Sequence, residues 1–211
     1  MIDYYYYTEQ MNNNIHNIII PFYSSWLYVC ASYYDYSQNK ELYGRLVRLE
    51  HLHTLFWNVF VFQPFSLYFI LAIQPPTVVI DTFWNEISYV LYNIIFGEIW
   101  FYTIHYVFHT KYFYKYHKTH HENNEVVGIF ALYAHPIDAV LLNLGSIFLL
   151  HYLVVFSCFH IYLIGSIATV NTIIHSHTGR KNGFHQKHHR CFTCNYGMDY
   201  FMDTLFSTAT K

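Results

Sequence analysis

The chain has 211 residues, enough for one domain with a substantial core and too few for a second independent one. Of these, 54% are apolar, 22% aromatic and only 11% charged, against roughly 25% charged in an ordinary soluble domain, so lipid is the expected solvent. A formal net charge of -2 without a basic run argues against nucleic acid as a partner, and the four cysteines, Cys30, Cys158, Cys191 and Cys194, make no disulfide framework at this length, so reduced thiols are expected.

The N-terminal stretch MIDYYYYTEQMNNN has no Lys or Arg before its first apolar run and does not read as a cleavable signal peptide. Residues 1–50 form a low-complexity segment whose uncharged run from Ile15 to Tyr34 suits either a further span or, with Asn17, Pro21, Ser24 and Ser25, an interfacial helix. Residues 51–211 form the membrane domain proper. A bilayer core needs about 20 mostly apolar helical residues. Three regions qualify: Leu55 to Ile73, with Pro64 as a tolerated kink; Ile87 to Ile104, carrying Glu98; and the uncharged region from Ala139 to Ile174, which suits two helices joined near Ser157 and Cys158. The expected fold is an all-α integral membrane helical bundle of about four spans or two hairpins, with a histidine-rich helical cap.

Sidedness follows from the basic residues, which collect in cytoplasmic loops. If the second span ends at the cytoplasm, all eleven Lys and Arg fall on that side, while the opposite loop, QPPTVVIDTFWNE, carries Asp81 and Glu86 and no base. The same arrangement puts segments 105–138 and 175–211 together on the cytoplasmic face.

Those two segments hold most of the sixteen histidines. The stretch HYVFHTKYFYKYHKTHHE has the spacings H-x3-H (His105, His109) and H-x2-HH (His117, His120, His121), and HQKHH repeats the second with His185, His188 and His189. Positions i, i+3 and i+4 share one helical face, so each set can aim its imidazoles at a point. His135 in YAHPID and His175 in NTIIHSH complete a set of ten, more than one metal ion needs and suited to two. Neutral imidazole suits Fe, Zn and Cu alike, so the donors alone leave the metal open.

These residues resemble the fatty acid hydroxylase and sterol desaturase superfamily of integral membrane di-iron oxygenases, over about residues 85 to 207. The boxes carry the resemblance, together with KYFYKYHKTHHE, the HP-acid element of YAHPID, and the ending HHRCFTCNYGMDYFMDTLFST. The resemblance implies that the ten histidines bind two iron ions, although zinc could occupy the site in isolated protein. It also implies O2-dependent hydroxylation or desaturation of a lipid, a cytochrome b5-type electron donor and residence in the endoplasmic reticulum. YAHPID is closest to methylsterol oxidase and sterol desaturase relatives, with a fatty-acyl or ceramide substrate still open. Glu98 stands seven residues before His105, about two helical turns, where relatives often have an acid. It could orient a ligand imidazole or pair with another buried polar group, and Asp138 and Asn171 are candidates for the same supporting role. Two departures stand out: Ser207 where relatives usually have Gly, and a loop from His177 to His185 shorter than in sterol-acting members.

Other features compete for a functional reading. Cys191 and Cys194 form a single C-x2-C without the second pair that a zinc ribbon needs. His151 and His160 read as hydrogen-bonding helix contacts, and His16, His51 and His53 as interfacial residues. His177 could replace or supplement His175. Two rivals come from other classes: a histidine-rich metal transporter or buffer, whose ligands belong near the bilayer midplane, and a zinc-dependent membrane hydrolase working through metal-bound water. No haem, flavin or nicotinamide motif is visible, so electrons for an oxygenase would come from a partner.

Overall fold

The computed structural model describes residues 2–73, 83–152, 158–177 and 183–210. Among them there are helices, turns and no strand. The order is α1 (Ile2–Gln38), α2 (Lys40–Leu46), α3 (Leu49–Ala72), α4 (Phe83–Phe108), α5 (Tyr114–His117), α6 (Pro136–Phe148), α7 (Cys158–Asn171), α8 (Phe184–Cys191) and α9 (Tyr200–Leu205). The loop expected opposite the histidines and the junction near Ser157 lie outside the described residues.

Two helices are long and apolar enough to cross a membrane: Leu49–Ala72, with mean hydropathy 1.6, and Ile87–Phe108 within α4, with mean hydropathy 1.2. Among the described residues these two match expected spans, and the expected total of about four is not confirmed. The run from Ile15 to Tyr34 belongs to the single helix α1, and α6 ends at Phe148, short of a bilayer crossing.

The burial pattern of α4 inverts that of a soluble amphipathic helix, which turns its apolar stripe inward. Its buried face carries Asn93, Gly97, Glu98, Tyr102 and His105, whereas Leu91, Ile94, Ile95 and Ile99 face outward. A helix with its polar residues inside and its aliphatic ones outside is stable where the surroundings are lipid. Along with the family reported below, the two apolar helices suggest a membrane protein.

Pro64 lies in α3 just after a π-turn. It lacks an N–H and its ring crowds the carbonyl four residues back, and the turn just before it, Asn58–Phe62, opens into a π-helix in which Gln63 N–H reaches Asn58 O. The extra residue absorbs the conflict and turns Asn58, 2% exposed, into the interior.

α1 packs along the second half of α3 and against α7. Ile20, Leu67, Leu71, Leu144, Phe148 and Ile161 form the core where these helices meet α6. α4 crosses α6 so closely that a Cβ on Gly97 would stand 2.8 Å from Ser146 O. Small residues permit such approaches between apolar helices, and here the crossing brings the histidine end of α4 against the segment that carries Asp138. Near the C-terminus Ser207 has φ 58, the left-handed region where glycine is favoured. This explains why relatives usually have Gly at the position.

Candidate metal centre

Nine imidazoles converge in two buried groups. The first comprises His105, His109, His117, His121 and His188, and the second His120, His177, His185 and His189; within each group the candidate ligand atoms lie within 4.8 Å of one another. α4 supplies His105, and His109 follows its last turn. α5 and the 3-10 turn after it place His117, His120 and His121, and α8 brings in His185, His188 and His189. His117 ends α5, and His120 and His121 lie in the 3-10 turn beyond it, whereas α8 carries His185, His188 and His189 on a single helix. Neither H-x2-HH set aims at one point as expected, because the adjacent histidines of each HH send one ring to each group.

The ring orientations are set from behind. His105 Nδ1–H donates to Tyr196 O at 2.6 Å and His188 Nδ1–H to Cys194 O at 2.6 Å. His189 uses Asn123 O at 3.2 Å, His177 Thr172 O at 3.1 Å and His120 Tyr133 O at 3.4 Å. His117 Nδ1 meets the Asp138 carboxylate at 2.7 Å, with both side chains buried. A carbonyl or carboxylate oxygen can only accept, so each of these six rings carries its proton on Nδ1 and presents a bare Nε2 lone pair inward.

Those of His120, His177 and His189 then face one another, and the other ring nitrogens approach as closely. Nε2 of His121 is 3.0 Å from that of His117 and 3.0 Å from that of His188. In the second group, Nε2 of His120 lies 3.2 to 3.4 Å from those of His177, His185 and His189. Two opposed lone pairs at that distance repel unless a proton or a cation lies between them. A cation with metal–nitrogen bonds of about 2.1 Å spaces neighbouring nitrogens about 3.0 Å apart in octahedral and about 3.4 Å apart in tetrahedral coordination, so the observed spacings fit. Nε2 of His105 and of His109 is buried without a hydrogen-bond partner, a costly state for a polar atom that has no ligand. The donor set and the orphaned nitrogens both fit metal ions held by imidazole.

Burial also favours the neutral form, the one that ligates, in seven of these rings. Desolvation holds His109 down at about 2, His188 at about 3 and His177 at about 4. The same cause, reinforced by neighbouring imidazoles, lowers His120, His121, His185 and His189 from the usual histidine range. The unfolded histidines titrate near about 6.5, so below that pH the unfolded chain binds more protons than the folded one and stability falls with pH. Metal-stripped protein in detergent is expected to be fully stable above pH 6.5 and to lose thermal stability steadily between about pH 6.5 and 4. A melting midpoint that does not move over this range would contradict the neutral cluster.

Eight of the ten expected histidines are in these groups and two are not. His135 is only partly buried; it caps the start of α6, its Nδ1 accepting from Ile137 N–H at 3.2 Å, and its ring packs against Tyr116. His135 belongs to neither histidine group. His175 is exposed and His177 is buried in its place, because the chain after α7 runs through a π-turn, Thr172–Ser176, in which His177 N–H bonds Thr172 O. His177 stands four residues after the buried Ile173 and shares its face, whereas His175, two residues after, points the other way.

Of the three supporting candidates, Asp138 alone touches an imidazole. Glu98 accepts from the backbone N–H groups of Met198, Asp199 and Met202, so it holds the C-terminal turn and reaches His105 only through that turn. Asn171 is exposed on the wall of a cavity. Sequence reading missed Asp203, 0% exposed, which accepts from Tyr196 N, Gly197 N and Thr208 Oγ1 at 2.6 to 2.8 Å and so fixes the carbonyl that orients His105. Its signal was an acid in an otherwise apolar helix, seven residues after Tyr196.

Cys191 and Cys194, expected as reduced thiols, are disulfide-bonded, and Cys30 is an exposed free thiol. Phe192 adopts the left-handed conformation at the end of α8 and folds the chain back, leaving the two Cα atoms 6.1 Å apart. Neither sulfur belongs to a histidine group. His51, expected at an interface, is buried against Phe130 and Tyr133 and accepts from Arg48 N–H. His160 is fully buried among the helices, and the side chain of His151 lies outside those described.

A cavity of about 110 Å³ adjoins the centre, with Phe101, Leu142, Ile147, Ala168, Ile173 and Met198 among its walls. It touches His120, His177 and His185, all of the second group, and no member of the first.

Apolar outward faces and paired all-histidine groups at the end of an apolar helix suggest, by class, a membrane protein with a candidate metal centre. The family model for fatty acid hydroxylase matches residues 90–208, more than half of the sequence, and the chain belongs to that family. No curated protein and no solved structure is matched by it. The family implies an oxidoreductase, suggests lipid oxidation and is typically iron-dependent, and the histidine groups are compatible with metal ions.

Proposed function

We propose that the chain is an O2-dependent lipid oxidase that hydroxylates or desaturates a sterol or fatty-acyl C–H bond at a di-iron centre held by the nine clustered histidines. The observation that carries this reading is the pair of buried imidazole groups, one of which forms part of the wall of an apolar cavity. Iron held there would supply O2 activation and the oxidising equivalents for attack on an unactivated C–H bond.

The chain's own residues do the rest. The cavity walls take up a hydrocarbon segment by excluding water, which also strengthens the electrostatics of the buried site. Tyr196, Cys194, Asn123, Thr172 and Tyr133 hold the ligand rings through their carbonyls, and Asp138 holds the His117 ring through Nδ1. Hydroxylation consumes two electrons and two protons per O2 and releases water. An external donor of the cytochrome b5 type therefore belongs to the proposal, as does an endoplasmic-reticulum location with the histidines toward the cytoplasm. Lys111, Lys115, Lys118 and Arg190 are exposed around the cluster, which supports that side.

The test is purified protein assayed for bound metal and for an O2-dependent lipid product. Two iron ions per chain and an oxidised lipid formed only with O2 and reductant are expected. Two zinc ions with no O2-dependent product would overturn the reading in favour of a hydrolase.

A further inference from the structure

The family match begins at residue 90, yet part of the second histidine group is held in place from before it. The link is the segment Gly128–Ala134, whose 3-10 turn Gly128–Leu132 lies between the second histidine box and Asp138. A segment this short and this buried needs partners for its backbone polar groups, and four side chains from residues 28 to 58 provide them. Asp35, on α1 and 3% exposed, accepts from Gly128 N–H at 2.7 Å. Tyr43 donates to the same carboxylate oxygen at 2.8 Å and accepts from Ile129 N–H at 3.2 Å. Tyr28 donates to Ile129 O at 2.5 Å and accepts from Leu132 N–H at 3.3 Å. Asn58, exposed to the interior by the π-turn before Pro64, donates to Leu132 O and to Ala134 O, both at 2.7 Å.

Between those last two carbonyls lies Tyr133, whose own carbonyl receives His120 Nδ1–H at 3.4 Å. The other flank of the segment faces the turn that carries His177: a Cβ on Gly128 would stand 2.6 Å from Ile173 Cγ2 and 2.8 Å from Asp35 Oδ2. The clamp thus touches the supports of His120 and His177 and of no ring in the first group. Asp35 is its centre, a buried carboxylate taking a third hydrogen bond from Asn39 Nδ2 at 2.8 Å.

We propose that Asp35 is a positioning residue for the second histidine group, acting through Gly128 and the Tyr133 carbonyl, and that the N-terminal helix is part of the metal centre's support. The inference rests on the proposed function in needing both groups to take a metal ion. Loss of a partner that orients a ligand typically costs 10- to 100-fold in metal affinity, and here the cost falls on one group only.

The experiment is a Co2+ titration of the metal-stripped full chain in detergent, following the visible absorption of the bound ion. Wild-type protein is expected to take two equivalents. Asp35→Ala is expected to keep one at wild-type affinity and to bind the other 10- to 100-fold more weakly. Asp35→Asn restores both, because its amide oxygen still accepts from Gly128 N–H and Tyr43 while the Asn39 amide turns over. Asp138→Ala, which acts on His117, gives the converse loss in the first group. Two equivalents at wild-type affinity in Asp35→Ala, or equal weakening of both, would overturn the proposal. If Asp35→Ala does not fold, Tyr28→Phe, which removes one hydroxyl of the clamp, is read by the same criteria. A wild-type chain that takes fewer than two equivalents would instead count against the di-iron reading.

Discussion

His188→Ala is expected to abolish oxidised lipid, lowering product by at least about 100-fold, and to remove one metal ion per chain. Its ring is fully buried, held by Cys194 O behind and facing His121 in front at 3.0 Å. Losing a ligand should cost at least as much as losing the group that orients one, which is already about 10- to 100-fold. His175→Ala is the matched control, since that ring is exposed and outside both groups. Mass spectrometry of lipids from cells expressing each variant, with metal analysis of the purified proteins, separates the outcomes. Product that survives in His188→Ala, or disappears in His175→Ala, would show that the two groups are wrongly drawn.

Asp203→Ala is expected to lower stability by about 3 to 5 kcal/mol, because it strands two buried N–H groups and a hydroxyl, each costing about 1 to 3 kcal/mol when left unpaired. The same change frees the turn at Tyr196 and Gly197, so His105 loses the carbonyl that aims it and the first group should bind metal about 10- to 100-fold more weakly. Denaturant unfolding in mixed micelles gives the first number and Co2+ titration the second. A stability loss under about 1 kcal/mol would mean that the turn is held by other contacts. Glu98 acts on the same turn from α4 and should show a smaller version of the effect, since it holds residues 198, 199 and 202 rather than Tyr196, whose carbonyl accepts from His105.

Much of this centre is legible in the sequence because its spacing rules are local. H-x3-H and H-x2-HH put histidines within about one turn of one another, so clustered imidazoles are expected without knowledge of the rest of the chain, although not how they divide between the two groups. The apolar regions that became α3 and α4 are legible for the same reason, since length and hydropathy are local sums. His175 and His135 lie outside both groups, and His177, offered as a replacement for His175, lies inside one, for identifiable reasons. A π-turn adds a residue per turn and shifts every later position on the face, and nothing in NTIIHSH announces it. Capping likewise depends on where a helix begins, which YAHPID states only through its proline.

The groups that aim the ligands are mostly backbone carbonyls, and a carbonyl is the same at every residue. Tyr133, Cys194 and Tyr196 could not be singled out by side-chain chemistry. Asp35, Tyr43 and Asn58 were equally silent, being ordinary polar residues whose partners in the Gly128–Leu132 turn lie more than seventy residues away. By itself, then, the sequence determined the helical class, the two apolar helices, the family and the histidine boxes, all of which depend on residues within a few turns of one another. Only the tertiary structure decided which histidines share a group, which group borders the cavity and what holds each ring, because those depend on long-range contacts made by backbone atoms and buried polar side chains.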